Sequence, residues 1–194
     1  MTRHCRAGDL DRLAALVERL HPVRVMLFTG GASYLTSGAF AVIEPLLAGF
    51  PISRISDVRP NPTLESVTDA VERCRVFDPD LIVAVGGGSV IDLAKSVRVL
   101  APQEATLRSV ITGDAAIDRT GVPLIAIPTT AGTGSETTHF SVVYVDGIKH
   151  SFASETIRPD FALLDPQLTY SAPPSVTAAT GLDALSQAME SLWS

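Results

Sequence analysis

The stretch LIVAVGGGSVIDLAK, residues 81–95, decides the fold. Its first five residues are apolar on both faces, which is typical of a strand buried inside a parallel sheet. Three glycines follow directly, and the residues after Ser89 have the pattern of a helix. A buried strand that leads through a glycine turn into a helix is the repeating unit of α/β proteins.

Strands and helices alternate along the whole chain. Further strands are predicted at 23–28, 52–58, 123–128 and 158–166. Helices are predicted at 8–20 with Asp9 as the cap, at about 36–48, at 64–77 and from Pro173 onward. Residues 139–154 alternate in polarity around Asp146-Gly147, which predicts a hairpin. This order predicts an α/β fold with a parallel sheet and right-handed crossovers.

The composition is that of a globular protein, with 46% hydrophobic and 19% charged residues among 194. This length suffices for one domain, or for one domain and part of another. The formal net charge of -6 argues against nucleic acid as a partner, because phosphate backbones require a basic surface. The net charge does not exclude a small molecule that carries phosphate as a ligand, since backbone amides bind phosphate without net positive charge.

The two cysteines, Cys5 and Cys74, are too few for a disulfide framework. We expect reduced thiols and a cytoplasmic location. The first residues, MTRHCRAGDLDRL, lack the apolar region of a signal peptide. No run approaches the ~18 apolar residues of a membrane span, so we expect a soluble protein with no membrane partner.

The glycine run Gly86, Gly87 and Gly88 is the first candidate site. Glycines let the backbone approach a ligand closely, and the helix that begins at Ser89 directs free N–H groups to the same place. This combination suits a pyrophosphate, although it is neither the Gly-x-Gly-x-x-Gly fingerprint nor a Walker A loop. A tight turn with glycines for packing alone is the alternative interpretation.

The segment 127–138, IPTTAGTGSETT, is the second candidate site because six hydroxyl residues follow a predicted strand. Such a loop can bind ribose and phosphate oxygens, and a capped loop without a ligand is the alternative. Glycine-bearing segments 29–33, 86–89 and 129–135 all follow predicted strands. Because ligands of open α/β sheets bind outside the carboxyl ends of the strands, we expect these segments to converge.

Asp183 and Gln187 form the third candidate site, since residues four apart lie on one face of a helix. Carboxylate and carboxamide oxygens suit a divalent cation, but two ligands are too few for a closed site. From spacing alone, an exposed polar pair is the better interpretation.

In this order, the segments resemble the iron-containing (group III) alcohol dehydrogenase family. The matching segments are PNPT (60–63), GGGSVIDLAK (86–95), TTAGTGSE (129–136), Lys149, RPDFALLDP (158–166) and TAATGLDAL (177–185). The resemblance covers nearly the whole chain from about Val23. Six ordered matches are more specific than any single motif.

The resemblance implies two domains. Residues 1–172 would form a Rossmann-like NAD(P)-binding domain, and residues 173–194 the first helix of an all-helical metal-binding domain. Alcohol and aldehyde interconvert between the two domains of such enzymes, and a metal polarises the carbonyl group. The implied cofactors are therefore NADP or NAD and a divalent metal, Fe²⁺ or Zn²⁺.

The resemblance also implies roles for individual residues. The pyrophosphate would lie on Gly86, Gly87, Gly88 and Ser89, with Asp92 on the same motif. Thr129, Thr130 and Thr133 would line the adenosine and nicotinamide groove. Lys149 would reach the cofactor ribose, and Asp183 would be the first metal ligand. No catalytic residue is assigned.

Three positions depart from the family pattern. Gln187 stands where the motif Asp-Ala-Leu-x-His has histidine, and a carboxamide is a weaker ligand than imidazole. The form DALSQAMESLWS nevertheless resembles the phosphonoacetaldehyde reductase branch. The four histidines precede the motif and match none of the family's later ligands: His4, His21, His139 and His150. The segment MTRHC is too short for the full edge strand that usually starts these proteins.

The loop after the first buried strand, FTGGASY, bears on cofactor choice. Enzymes that prefer NAD often place an acidic residue there for the ribose 2'-hydroxyl. Gly30, Gly31 and Ser33 leave room for a 2'-phosphate instead, which favours NADP.

We expect hydride transfer between NAD(P)H and a small aldehyde, such as phosphonoacetaldehyde, with weak or no activity in these 194 residues. The expected partners are a small aldehyde or alcohol and either further copies of the chain or a complementing C-terminal polypeptide. A non-catalytic nucleotide-binding module, or half of a split enzyme, is the alternative. A dehydroquinate-synthase-like or glycerol-dehydrogenase-like enzyme fits the motifs less well.

Overall fold

The computed structural model describes residues 2–5, 8–56 and 58–193. The strands are β1 (Thr2–Cys5), β2 (Val25–Thr29), β3 (Ile52–Ile55), β4 (Leu81–Gly86), β5 (Leu124–Pro128), β6 (Phe140–Val145), β7 (Ile148–Ala153) and β8 (Phe161–Leu164). The helices are α1 (Arg12–Leu20), α2 (Ala32–Thr36), α3 (Ala39–Leu47), α4 (Leu64–Phe77), α5 (Gly88–Leu100), α6 (Leu107–Thr112) and α7 (Pro174–Glu190).

Six strands form one parallel sheet in the order β1-β8-β5-β4-β2-β3. The chain runs from β2 to β3 on one side of the β2–β4 pair and from β4 to β5 on the other side. Successive crossovers therefore diverge between β2 and β4. Open α/β sheets bind ligands at such a switch point, so the loops after these two strands occupy the expected ligand edge.

Alternate residues of the central strands pack into two separate cores. Met26 and Phe28 lie on the side covered by α4, α5 and α6. Val25 and Leu27 lie on the side covered by α1 and α3. All four side chains are fully buried. Burial on both faces explains why these strands are continuously apolar, and it confirms the predicted α/β fold with a parallel sheet.

The N-terminal half differs from the sequence predictions at three places. The helix predicted at about 36–48 is α3, which begins after Gly38 in a left-handed conformation with φ 85°, and the preceding short helix α2 was not predicted. Asp9 does not cap α1; it lies in a 3₁₀ turn and pairs with Arg12 at 3.1 Å. The doubt about the sheet edge was wrong, because Thr2–Cys5 pairs in parallel with β8.

The C-terminal half agrees with the sequence predictions. β6 and β7 pair in antiparallel fashion around Asp146 and Gly147, which confirms the hairpin. The helix predicted from Pro173 is α7. The short helix α6 was not predicted from the sequence. Cys74 is buried and unpaired, whereas the side chain of Cys5 lies outside the described residues. The strand predicted at 52–58 is shorter in the structure and ends at Ile55, and position 57 lies outside the described residues.

The long helix α7 contributes no buried residue to either core. Its apolar side chains Leu182, Leu185 and Met189 are between 48% and 64% exposed. Within the described part of the chain, no helix combines the length and apolar character needed to cross a membrane.

Candidate functional site

The glycine turn after β4 leads into the amino end of α5. Gly87 is the N-cap residue and makes no side-chain cap hydrogen bond. The first N–H groups of a helix have no partner within that helix, so they point outward from this end. A Cβ atom at Gly88 would lie 3.1 Å from Cγ2 of Thr133. A side chain at Gly88 would therefore press against the neighbouring loop.

Hydrogen bonds join the loops after β2, β4 and β5. The N–H of Gly30 donates to the carbonyl oxygen of Val85 at 3.0 Å, and the N–H of Thr129 donates to that of Gly86 at 3.0 Å. The three glycine-bearing segments thus meet at the carboxyl edge of the sheet, as the sequence predicted. Gly31 and Ser33 lie exposed at the start of α2 on the same edge.

The threonine-rich loop (residues 129–138) packs between the glycine turn and α7. Thr129 is 3% exposed, and its Oγ1 atom has no hydrogen-bond partner. Gly132 has φ 149°, and a Cβ atom there would collide with the carbonyl oxygen of Thr180 in α7. The loop therefore contacts α7 through backbone, and an orphaned hydroxyl remains near the glycine turn.

A cavity of about 320 Å³ lies where these elements meet. Seven of the predicted site residues line it: Gly88, Ser89, Asp92, Thr133, Lys149, Asp183 and Gln187. Thr130 lines a different cavity of about 420 Å³ between the threonine-rich loop, the end of β8 and α7. The remaining predicted residues are Gly30, Gly31, Ser33, Gly86, Gly87 and Thr129, and they surround the glycine turn without lining the first cavity.

The PNPT segment holds the hairpin against the amino end of α5. The N–H of Asn61 donates to Oγ of Ser89 at 3.1 Å. The N–H of Tyr144 donates to the carbonyl oxygen of Pro62 at 2.8 Å. Asn61 has φ 61°, a left-handed conformation that asparagine tolerates better than most residues. In the sequence this segment was one of those that match the family, but no role was assigned to its residues, so its contact with Ser89 was not predicted.

The sequence interpretation assigned no role to Lys95, whose side chain is fully buried behind the cavity wall. Its Nζ atom donates to the carbonyl oxygen of Ser135 at 3.0 Å and to Oγ1 of Thr138 at 2.9 Å. It lies 3.6 Å from Oδ1 of Asp92, to which the hydroxyl of Ser135 also donates. The spacing of Asp92 and Lys95 within an apolar helix was the signal that could have identified this cluster.

Burial shifts the proton affinities of this pair in opposite directions. Desolvation lowers the pKa of Lys95 to about 8, although the nearby Asp92 carboxylate acts against this change. Desolvation also raises the pKa of Asp92, against the effects of Lys95 and of the Ser135 hydroxyl. Each shift disfavours the charged form of its group, so a change in the surroundings of the pair can change the protonation state of Asp92 or Lys95.

Asp183 and Gln187 face the same cavity from α7. Nε2 of Gln187 donates to Oδ2 of Asp183 at 2.9 Å. Among the described residues, no three His, Cys, Asp or Glu side chains lie close enough to hold one metal ion. The side-chain oxygen atoms of Asp183 and Gln187 suit a divalent cation, but these two residues supply only part of a coordination shell. His139, which the sequence did not match to any family ligand, is exposed just before β6.

The sheet order and the glycine turn at the switch point define a Rossmann-like α/β domain. Residues 3–166 match the profile of the iron-containing alcohol dehydrogenase family. This match extends over most of the chain, and the chain belongs to that family.

Individual relatives agree with this assignment. The chain is 40% identical to Long-chain-alcohol dehydrogenase 1 of Geobacillus thermodenitrificans over 190 residues, which are 96% of this chain and 48% of the relative. It is 36% identical to an NADPH-dependent butanol dehydrogenase of Clostridium saccharobutylicum, and that match covers 94% of this chain and 48% of the relative. The chain thus spans about half the length of the curated relatives it matches.

A solved structure has the same fold. The sulfoacetaldehyde reductase of Bifidobacterium kashiwanohense, solved in complex with NAD⁺, superposes with a TM-score of 0.89 at 32% identity. The match covers 100% of this chain and 52% of that protein. The predicted fold class and family are confirmed.

Proposed function

We propose that this chain forms the NAD(P)-binding part of a metal-dependent alcohol dehydrogenase that reduces a small aldehyde. One observation carries the proposal. The glycine turn, the threonine-rich loop, Lys149 and Asp183 converge on one cavity at the amino end of α5. The proposed division is an NAD(P)-binding domain over residues 1–172 and the start of a metal-binding helical domain over residues 173–194.

The cofactor fits the residues that surround the glycine turn. The free N–H groups and positive dipole end of α5, at Gly88 and Ser89, would bind the pyrophosphate. Gly87 presents no side chain at this helix end, whereas a Cβ atom at Gly86 would collide with the side chain of Val90, so glycine at Gly86 serves packing. The Oγ1 atom of Thr129 is buried beside the turn without a hydrogen-bond partner, and an oxygen or nitrogen atom of the bound cofactor would supply one.

Further side chains would orient the rest of the cofactor. Thr130 lines the cavity that also includes Leu164 and Ala184, which suits the adenosine. Thr133, Asp92 and Lys149 line the first cavity and would contact the ribose and nicotinamide. When bound, the nicotinamide supplies or accepts the hydride. The chain's own contribution is to hold the cofactor in place and exclude water around it.

NADP is the proposed cofactor in preference to NAD. Gly31 and Ser33 at the start of α2 present no carboxylate to the ribose 2'-position. The space above Gly31 is open, since a Cβ atom there would have no neighbour within 4 Å. A 2'-phosphate would therefore meet neither a steric clash nor a negative charge at Gly31 or Ser33.

The metal, Fe²⁺ or Zn²⁺, is proposed to contact Asp183. Gln187 is the second candidate ligand through its carboxamide oxygen. Because the described residues supply only these two ligands, the 194-residue chain is expected to bind metal weakly and to turn over slowly or not at all.

The proposed substrate is a small aldehyde that carries an anionic group, with phosphonoacetaldehyde as the specific candidate. The DALSQAMESLWS segment resembles that branch, and the sulfoacetaldehyde reductase neighbour acts on a related anionic aldehyde. Among the described residues that line the first cavity, Lys149 is the one cation, and it could interact with such a group.

A protein partner is the second proposal for this chain. The apolar face of α7, which includes Leu182, Leu185 and Met189, is largely exposed. Exposed apolar faces of this kind mark sites of interaction. We propose that a helical polypeptide with additional metal ligands packs on this face. The alternative, further copies of the same chain, would appear as oligomers in solution.

Nucleotide titration tests the cofactor part of the proposal. The chain would be titrated into NADPH and into NADH, and the fluorescence of the nucleotide would report binding. Oxidation of NADPH would then be measured with phosphonoacetaldehyde and with a panel of uncharged aldehydes, with Fe²⁺ or Zn²⁺ added. We expect binding of NADPH and little turnover. Absence of nucleotide binding would refute the function, and robust turnover would refute the incomplete metal site.

A further inference from the structure

The two lysines of the chain lie at the same place in the fold. The sequence contains 15 basic residues, and only Lys95 and Lys149 among them are lysine. Lys149 lines the first cavity. Lys95 lies directly behind its wall, two turns into the helix that starts at the glycine turn, and its side chain is fully buried. A buried ammonium group is costly unless it is paired, so its contacts indicate what it does.

Every polar contact of the Lys95 ammonium leads to a residue of the cavity wall. It donates to the backbone oxygen of Ser135 at 3.0 Å and to the hydroxyl of Thr138 at 2.9 Å. A weaker contact of 3.4 Å reaches Oγ of Ser135, and Asp92 lies 3.6 Å away. Ser135, Thr138 and Asp92 all line the first cavity. Lys95 therefore joins the threonine-rich loop to the helix of the glycine turn.

We propose that Lys95 is a positioning residue for nucleotide binding. Its buried ammonium holds the threonine-rich loop and the Asp92 carboxylate in the arrangement that the nucleotide requires. The inference rests on the proposed nucleotide site, and Lys95 itself touches no ligand. It assigns a function to the lysine that ends the GGGSVIDLAK segment.

The surroundings of Lys95 make its charge sensitive to pH. Asp92 from the same helix and Glu136 from the threonine-rich loop favour the charged form, and the ring of Phe140 lies 5.6 Å from Nζ. Burial outweighs them and lowers the pKa to about 8. Arginine would remain charged throughout this range, whereas the compact lysine ammonium can lose its proton. Above pH 8 the attraction to Asp92 should weaken, and nucleotide affinity should fall with it.

A matched control variant lies one turn further along α5. Arg98 is also a buried cation, 5% exposed, and it pairs with Asp160 at 2.8 Å and with the carbonyl oxygen of Arg158 at 2.6 Å. It does not line the first cavity. Lys95→Met and Arg98→Met each remove one buried, paired cation from the same helix, so both should lower the melting temperature.

Nucleotide binding separates the two variants. For the chain with NADPH as the probe, we expect Lys95→Met to raise the Kd about tenfold or more, and Arg98→Met to leave it within about twofold. The wild-type Kd should rise as the pH passes about 8, and this dependence should be absent in Lys95→Met. Equal affinity of Lys95→Met and wild type, or equal losses in both variants, would overturn the positioning role.

A spectroscopic measurement keeps this inference separate from the proposed function. In protein labelled with ¹³C at lysine Cε, the two lysines should give two NMR signals, and Lys149→Arg assigns them. We expect the Lys95 signal to titrate near pH 8. Hydrogen exchange of residues 129–138 should accelerate in Lys95→Met but not in Arg98→Met. If wild-type protein binds no nucleotide, the proposed function fails. An unshifted titration, or unchanged exchange of this loop, would reject the inference by itself.

Discussion

Nε2 of Gln187 donates a 2.9 Å hydrogen bond to Oδ2 of Asp183, one turn earlier on α7. The two side chains thus bind each other within the cavity wall, and the carboxamide acts as a donor. A cation at Asp183 would compete with this bond for the carboxylate. The wild-type chain should therefore hold a divalent cation only weakly at this pair.

Gln187→His should increase the affinity of the chain for Zn²⁺ on the order of tenfold, because imidazole is a better ligand than a carboxamide. Competition with a fluorescent zinc indicator would measure the change. Asp183→Ala in the same background should remove the gain. A gain that survives the loss of Asp183 would show that the metal binds elsewhere.

Gly88→Ala should weaken NADPH binding about tenfold, because the added Cβ atom would lie 3.1 Å from the side chain of Thr133 and displace the threonine-rich loop. Isothermal titration calorimetry measures the affinity. Gly49→Ala is the control, since a Cβ atom at Gly49 has no neighbour within 4 Å and the position is remote from the cavity. If Gly88→Ala and Gly49→Ala bind NADPH with equal affinity, the close approach of the threonine-rich loop to the glycine turn does not affect nucleotide binding.

Gly31→Asp should shift the preference from NADP to NAD by about tenfold, because a carboxylate accepts hydrogen bonds from the ribose 2'-hydroxyl and repels a 2'-phosphate. The space at Gly31 accommodates the side chain. The ratio of the two dissociation constants is the informative measurement, because a general loss of fold would weaken both. An unchanged ratio would place the 2'-position away from α2.

Lys95 should make the free energy of unfolding depend on pH. Burial lowers its pKa from 10.5 to about 8, so between these values the unfolded chain binds more protons than the folded chain. The contribution of this group to stability therefore rises with pH across that window and is least favourable below pH 8. Urea unfolding at pH 8 and pH 10 should show a larger gain for wild type than for Lys95→Met, by on the order of 1–3 kcal/mol.

Titrating groups remote from Lys95 contribute equally to the wild type and the variant, so the difference between them reports on Lys95 and its partner Asp92. Cys74 is one such group, since burial raises the pKa of its thiol to about 11. An identical pH dependence in the two proteins would mean that the ammonium of Lys95 retains an ordinary proton affinity.

Most of the cofactor side of the site was predictable from the sequence because its signals are local. Gly86, Gly87 and Gly88 follow a buried strand and precede a helix within one continuous stretch. Residues 64–77 form a helix with the predicted bounds, since the capping side chain of Thr63 and the apolar spacing lie in the same segment. Because ligands of open α/β sheets bind outside the carboxyl ends of the strands, the loops after the strands were also expected to converge.

The error at the sheet edge has a distant cause, whereas the other two errors concern local conformation. Thr2–Cys5 forms an edge strand because β8, more than 150 residues later in the chain, offers it a parallel partner. Asp9 is buried and paired with Arg12 in a 3₁₀ turn, although its position suggested a helix cap. The break at Gly38 is a local left-handed conformation that periodicity alone did not indicate.

By itself, the sequence determined the α/β class, the family and the position of the glycine turn, because strand burial, helix periodicity and turn chemistry are properties of short segments. Only the tertiary structure decided that Lys95 is buried against Ser135 and Thr138, and that Gln187 donates to Asp183 within the same cavity as Gly88. These relationships depend on side chains from separate elements that meet only after the sheet has assembled.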